Sequence, residues 1–285
     1  LEPMLVGLLP RFPRAILIGD HRQLPAVVTQ PEEDTRVEAP ELREIELTDL
    51  RDSLFERLYR LAQRQGWDWA YGRLTHQGRM HAEIMDFPNR HFYQNYLRTL
   101  PPEIPQSSLQ KTSPGWRLPE DASALEQLLA RRRVLFLPAR ANEGGLTFKT
   151  NLHEAELIAR VLQAFQRLYT ARGESLRPEA VGVIAPYRAQ IAQIRDRLQE
   201  EDLLQEGLTI DTVERYQGGA RDIILISLCA NHTRQLESLV NASTEGVDRK
   251  LNVALTRARQ HLILIGNPDI LRHNEIYRTF IEEFG

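Results

Sequence analysis

Val181 to Leu228 reads VGVIAPYRAQIAQIRDRLQEEDLLQEGLTIDTVERYQGGARDIILISL. Three short apolar runs, Val181–Ile184, Leu208–Val213 and Ile223–Leu228, are separated by a helical pattern over Tyr187–Glu200 and by a glycine turn. Such runs, bounded by Gly, Pro, Asp or Asn, have the composition of strands covered on both faces. Strands alternating with helices predict a parallel sheet. Outward from this core, Val134–Leu137, His261–Ile265 and Ala15–Ile18 read as further strands. Ser53–Arg64, His81–Tyr93, Leu152–Ala171, Val247–Ala258 and Asn274–Phe284 read as helices, the last with Asn274 as N-cap. The expected class is α/β, a parallel sheet with helices on both faces.

Two segments fit neither period. Residues 29–47, acidic and holding Pro31 and Pro40, predict a surface excursion, and Leu100–Pro119, with five prolines, predicts an extended connector. A seam near Trp67–Arg73 divides the chain into residues 1–70 and 71–285. The first part then holds one strand, which cannot bury both its faces. Much of a first domain is therefore expected to be missing.

At 285 residues, 42% hydrophobic and 26% charged, the composition is that of a globular protein rather than a disordered or fibrous one. No run approaches the roughly 20 apolar residues of a membrane span. The single cysteine, Cys229, excludes an intrachain disulfide and a cysteine-rich zinc site, and suits a reducing intracellular setting, cytoplasmic or nucleoid-associated. A formal charge of −3 does not by itself point to nucleic acid. Of 36 basic residues only Lys111, Lys149 and Lys250 are lysine, a bias that a GC-rich genome mostly explains. The opening Leu1-Glu2-Pro3-Met4 carries no leader pattern and reads as the middle of a longer chain.

Four stretches carry chemistry. The Ala15–Ile18 strand runs into Gly19-Asp20-His21-Arg22-Gln23-Leu24-Pro25, placing Asp20 and Gln23 at a strand's carboxyl end, where ligands of open α/β sheets collect. Gln77-Gly78-Arg79-Met80-His81 precedes a helix, a place that favours anions. Thr212 to Asp222 sets Thr212 and Gln217 on a glycine loop before a strand. In Arg249–Arg259, helical spacing puts Arg249, Asn252, Thr256 and Arg259 on one face, opposite Leu251, Ala254, Leu255 and Ala258, with Arg257 in the last turn. His76, His81 and His91 lack the spacing of a zinc site. Glu154, Glu156, Asp196 and Asp202 read as ordinary helix faces rather than a nuclease metal cluster.

Taken in order, these stretches resemble superfamily 1 helicases of the 5′→3′ branch that holds the RNA-surveillance and DNA-replication helicases. Gly19–Pro25 is similar to the family's GDxxQLPP motif, with Ala26 in place of the last proline, and Ser53–Leu58 to its SLFERL element. Gln77–His81 resembles QYRMHP, Ala185–Gln190 APYxxQ, Thr212–Asp222 the fifth motif and Leu251–Arg259 the sixth, LNVALTRAR. Leu1-Glu2-Pro3 resembles the sequence after the second motif.

The resemblance implies a RecA-like second motor domain, with a fragment of the first, that hydrolyses ATP in the cleft between them. It implies Gln23, Arg79 and Arg257 as catalytic residues, the arginines acting on the γ-phosphate. Gly19, Asp20, Gln77 and Gly218 would lie at the nucleotide. Pro186, Tyr187, Arg188 and Thr212 would touch the backbone of a DNA or RNA single strand. Neither GxxxxGK[ST] nor a strand ending Asp-Glu occurs in the chain. ATP and Mg²⁺ are thus expected to be held mainly by a first domain supplied in cis or by another chain, and this chain alone is expected to be inactive. Two positions depart from the pattern. Gly78 stands where the family commonly has a Tyr on the adenine, and Ala220 where it has a Glu at the ribose, so relaxed nucleotide selectivity, or compensation by Tyr71, His76 or Arg221, is expected. The alternative is a degenerate, non-hydrolysing module that binds nucleic acid or a protein.

Overall fold

The computed structural model describes residues 5–26, 28, 30–113, 115–142, 149–216, 218–243 and 246–285. Leu1-Glu2-Pro3, Thr29, Pro114 and Gln217 lie outside them. The chain forms two compact units, Leu1–Leu74 and Thr75–Gly285.

The first unit is built on α1 (Pro40–Glu44) and α2 (Leu54–Arg64). Residues 15–18 are extended but form no strand, and Ile16 and Ile18 are 90% and 87% exposed. The expected buried strand is corrected here. A strand needs a ladder partner, and among the described residues of this unit none lies beside it. Residues 30–47 are more than a surface excursion. Val37 N–H donates to Thr48 O at 3.0 Å and Leu50 N–H to Thr35 O at 2.9 Å, and Val37 and Leu47 are buried.

The second unit carries β1 (His76–Gln77), α3 (Ala82–Phe92), β2 (Arg98–Thr99), α4 (Ala124–Arg131), β3 (Val134–Pro138), α5 (Leu152–Ala171), β4 (Val181–Ile184) and α6 (Arg188–Glu200). Then come β5 (Thr209–Asp211), β6 (Arg221–Ser227), α7 (Leu236–Leu239), α8 (Arg249–Leu255), β7 (Ala258–Gly266), α9 (Pro268–Leu271) and α10 (Glu275–Phe284). β1 and β2 form a small parallel pair of their own. The main sheet is all parallel in the order β3-β7-β6-β4-β5. Its register aligns Leu135, Ile263, Leu225, Val183 and Ile210 in one row across all five strands. That row packs against α4, α5 and α6 in a single core. The alternate row, Phe136, Leu264, Ile226 and Ile184, is buried on the other face, where α3, α8 and α10 contact the sheet. Each fully buried Leu, Ile or Val contributes about 1.5–3 kcal/mol, which is why these strands read as unbroken apolar runs.

Three expectations need adjustment. α4, not foreseen, begins at a capping box in which Ser123 Oγ accepts from Glu126 N and Glu126 Oε2 from Ser123 N. α8 stops at Leu255 instead of Ala258, because side chains take over its last carbonyls. Thr256 Oγ1 donates to Asn252 O at 2.8 Å and Arg257 Nε to Val253 O at 3.1 Å. The connector at 100–119 is not simply extended. It holds a 3₁₀ helix, Pro105–Gln110, with Ser107 and Gln110 buried. Among the described residues, no helix is long and apolar enough to cross a membrane.

Candidate functional site

At the amino-terminal end of β6 and β7 two arginines come together. The turn Thr256-Arg257 links α8 to β7, and Arg257 lies in it with 1% of its surface exposed, not in a helical last turn. Its Nη1 donates to Gly219 O at 3.3 Å and its Nη2 to Thr256 Oγ1 at 3.1 Å. Arg79, from the turn before α3, donates from Nη1 to Thr256 O at 3.2 Å. Gly218, exposed with φ +86°, sits beside Gly219 on the facing loop. Burial, and after it the charge of Arg259, lowers the Arg79 pKa. Concentrated guanidinium charge with few carboxylates is a site that an anion would relieve. Of the polar face expected over 249–259, Asn252 and Thr256 are buried with the apolar residues while Arg259 is exposed.

The Gln77 side chain is engaged within its own turn. Its Oε1 accepts from Arg79 N at 2.9 Å and Met80 N at 2.8 Å, and its Nε2 donates to Met80 O at 3.0 Å, so it shapes the turn that carries Arg79. In the first unit, Asp20 is likewise bound within its own turn. Its Oδ1 accepts from Arg22 N at 3.0 Å and its Oδ2 from Gln23 Nε2 at 2.8 Å. Gly19 lies against Phe55 of α2, whose ring a Cβ there would meet at 3.1 Å, and His21 stacks on Tyr59 at 5.0 Å. The GDxxQLP stretch and the SLFERL helix are thus one packed piece.

The other candidate residues lie at the carboxyl ends of β4 and β5, the opposite end of the sheet. Pro186 and Tyr187 follow β4, with exposed Arg188 opening α6. Tyr187 Oη is within 3.0 Å of Ser238 Oγ, so its tip is anchored while the ring stays half-buried. Thr212 follows β5, its N–H on Asp211 Oδ1 at 2.8 Å. From there the chain returns, through the described residues 212–216 and 218–220, to the start of β6. Tyr216 holds this return, donating from Oη to Thr209 O at 2.6 Å over Gly182, where a Cβ would meet that hydroxyl at 2.6 Å. One loop therefore joins the Thr212 end to the Gly218–Arg257 end. Arg221 turns toward β5, donating to Thr209 Oγ1 at 3.0 Å.

Glu154 is not on an ordinary helix face. It is fully buried, with Oε2 accepting from Ser227 Oγ at 2.6 Å and Cys229 N at 2.9 Å, and burial pushes its pKa up to about 7 despite those hydrogen bonds. Gln190, the amide of APYxxQ, is buried beside it. It accepts from Asn151 N at 2.6 Å and donates to Asn151 O at 3.0 Å, tying the start of α5 to α6. Near the first site, Arg133 is buried among His81, His261 and Gln260. Burial, then Arg133, lowers the pKa of His81 to about 4 and of His261 to about 3. Arg133 leaves no mark in the sequence, since a lone arginine before a strand has no pattern. A capped helix start at Asn151 could have marked Glu154, its third residue. Among the described residues no three His, Cys, Asp or Glu side chains could hold a metal ion together.

The AAA domain family matches residues 50–269. The chain belongs to that family. Its motifs set it in the superfamily 1 helicase branch already described. Among its relatives, the regulator of nonsense transcripts 1 homolog of Drosophila melanogaster is 30% identical over 273 residues, 93% of this chain and 20% of the relative. The DNA replication ATP-dependent helicase/nuclease DNA2 of Xenopus laevis is 30% identical over 281 residues, 93% of this chain and 24% of the relative. An ATP-dependent helicase, upf1, of Schizosaccharomyces pombe is 26% identical over 272 residues, 94% and 25% respectively. The chain spans 20–25% of these relatives' length.

Proposed function

We propose that this chain is the arginine-bearing part of an ATP-dependent nucleic-acid helicase or translocase. The single observation that supports it is the meeting of Arg79 and Arg257 on Thr256 at one end of the sheet. Two guanidinium groups there suit the charge that builds on a γ-phosphoryl group in transfer, where one such arginine is worth roughly 10³–10⁵ in rate. ATP is the substrate on this reading, and Gln23 of the first unit would orient the attacking water. Mg²⁺ and the β- and γ-phosphates would be gripped by a phosphate-loop domain in cis or in another chain, so this chain alone would not turn over. Gly19, Asp20, Gln77 and Gly218 shape the loops at the nucleotide rather than grip it.

At the opposite end, Pro186, Tyr187, Arg188 and Thr212 would follow the sugar-phosphate of a single strand, DNA or RNA, without reading its bases. The loop 212–220 is the mechanical link, since displacement at Gly219 O, which Arg257 holds, would be felt at Thr212. An intracellular setting accompanies this role. A non-hydrolysing binding module is favoured by one observation, the burial of Arg257 against its own chain's oxygens. The test is ATP hydrolysis by the chain joined to its phosphate-loop domain, with single-stranded DNA or RNA added. Strand-stimulated hydrolysis supports the motor, and strand binding with no hydrolysis supports the module.

A further inference from the structure

We propose that Gln110, on the proline-rich segment, is a positioning residue that sets the Arg79 guanidinium through the turn 77–80; this rests on the functional reading above. Gln110 is 2% exposed and ends the 3₁₀ helix Pro105–Gln110. Its amide Nε2 donates to Gln77 O at 2.8 Å and to Met80 O at 2.9 Å, and its Oε1 accepts from Leu100 N at 2.8 Å. Both hydrogens of the amide are thus spent on the two carbonyls that bracket Arg79. From inside the turn, the Gln77 side chain takes the N–H groups of Arg79 and Met80. The backbone that carries Arg79 is therefore gripped from both sides.

Two residues beyond Gln110, the same segment adds a second hold. Thr112 O is 3.1 Å from His81 Nε2, and His81 N–H donates to Arg259 O at 2.9 Å on β7. With a pKa near 4 that imidazole is neutral, and its Nδ1 accepts from Glu83 N, so Nε2 carries the proton and donates to Thr112 O. The turn is thereby fixed between segment 100–112 and the start of β7. An arginine that must meet a phosphoryl group needs its backbone fixed this well, because a misplacement of about 1 Å costs on the order of 10²-fold in rate. A surface connector has no such need.

Gln110→Met tests this, keeping the side-chain volume while removing every hydrogen bond, with Gln110→Glu as second variant because it turns an acceptor on the two carbonyls. Amide hydrogen exchange on this chain is the first readout. Arg79 and Met80 exchange at least about tenfold faster in Gln110→Met, while Val183 and Leu225 in the sheet do not change. The second readout is strand-stimulated ATP hydrolysis with the phosphate-loop domain present. Gln110→Met lowers kcat by about tenfold to a hundredfold with KM nearly unchanged, Gln110→Glu lowers it further, and neither adds a loss in an Arg79→Ala background. Unchanged exchange, or an equal loss with and without Arg79, overturns the proposal. A wild-type protein that hydrolyses nothing instead overturns the functional reading and Arg79's task with it, and the exchange readout then stands alone on whether Gln110 holds the turn.

Discussion

Arg79 and Arg257 meet on one residue: Thr256 gives its carbonyl to Arg79 Nη1 at 3.2 Å and its hydroxyl to Arg257 Nη2 at 3.1 Å. Arg79 and Thr256 lie 177 positions apart in sequence, yet the one short turn 256–257 engages both arginines. They differ in access, because Arg79 is half-buried and Arg257 is sealed. For Arg257 to touch a phosphate, the turn 256–257 must open. On the proposed reading, Arg79 would be the arginine that a phosphate meets first.

Substituting the sealed arginine separates chemistry from binding. Arg257→Ala lowers strand-stimulated ATP hydrolysis by about two orders of magnitude or more and leaves single-strand affinity nearly unchanged. Alanine also removes the Arg257 donors to Val253 O and Gly219 O, leaving Val253 O only the Thr256 hydroxyl, a cost of about 1–3 kcal/mol in stability. Arg257→Lys keeps the charge without the planar fork and loses hydrolysis too, with a smaller drop in the unfolding midpoint. Hydrolysis rates and fluorescence anisotropy on a labelled oligonucleotide read the two effects apart. Retained turnover in Arg257→Lys would remove the fork from the mechanism.

The sheet was legible because apolar runs report burial on both faces directly. Val181–Ile184 and Leu152–Ala171 form as the sequence indicates, to the residue. Ala15–Ile18 has the same composition and no ladder partner among the described residues, so composition alone misleads there. The arginines were legible through the motif resemblance, not through spacing. Isolated buried polar residues were not. Gln110, Arg133 and Glu154 act through hydrogen bonds to residues distant in sequence, and single polar residues leave no periodic trace.

Nucleotide discrimination is expected to be weak. A Cβ on Gly78 would stand 2.9 Å from Leu100 Cδ1, so the apolar side chain of Leu100 fills the space beside this turn. Two of the three candidates for compensation are engaged elsewhere: Arg221 donates to Thr209 Oγ1, and Tyr71 donates to Asp68 Oδ1 at 3.0 Å. Without an aromatic platform the roughly 1–3 kcal/mol of base stacking is missing. Hydrolysis of ATP, GTP and CTP should fall within about one order of magnitude in kcat/KM. A strong ATP preference abolished by His76→Ala would show instead that His76 supplies the platform.

Stability against pH has two opposing contributions from buried groups. The Glu154 pKa is raised from 4.5 to about 7, so the folded state binds the extra proton between those values. Its favourable contribution is complete below about pH 4.5 and is lost as pH rises through 7, an effect on the order of 3 kcal/mol at most. His81 and His261 run the other way, with pKa values lowered from 6.5 to about 4 and about 3. Their contribution is present above pH 6.5 and is lost as pH falls toward those values. Between pH 5 and 7 the gain from the two histidines outweighs the loss from Glu154, so urea unfolding should show stability rising with pH in the wild type and rising more steeply in Glu154→Gln. If the two curves rise in parallel over that range, Glu154 is not the titrating group.

The return loop gives the most direct check on communication between the two ends. Gly182→Ala drives a Cβ to 2.6 Å from Tyr216 Oη and 2.9 Å from Ile224 Cδ1, so the sheet or the loop must shift. Overpacking of this kind costs about 1–3 kcal/mol. Tyr216→Phe removes the hydroxyl's 2.6 Å bond to Thr209 O and its bond with the Val183 backbone, a similar cost without steric pressure. If the loop carries displacement from Gly219 to Thr212, both variants retain strand binding and basal hydrolysis but lose much of the stimulation of hydrolysis by the strand. Oligonucleotide affinity, measured by anisotropy beside hydrolysis with and without strand, separates these quantities. Full stimulation in Tyr216→Phe, at unchanged affinity, would mean the two ends communicate by some route other than this loop.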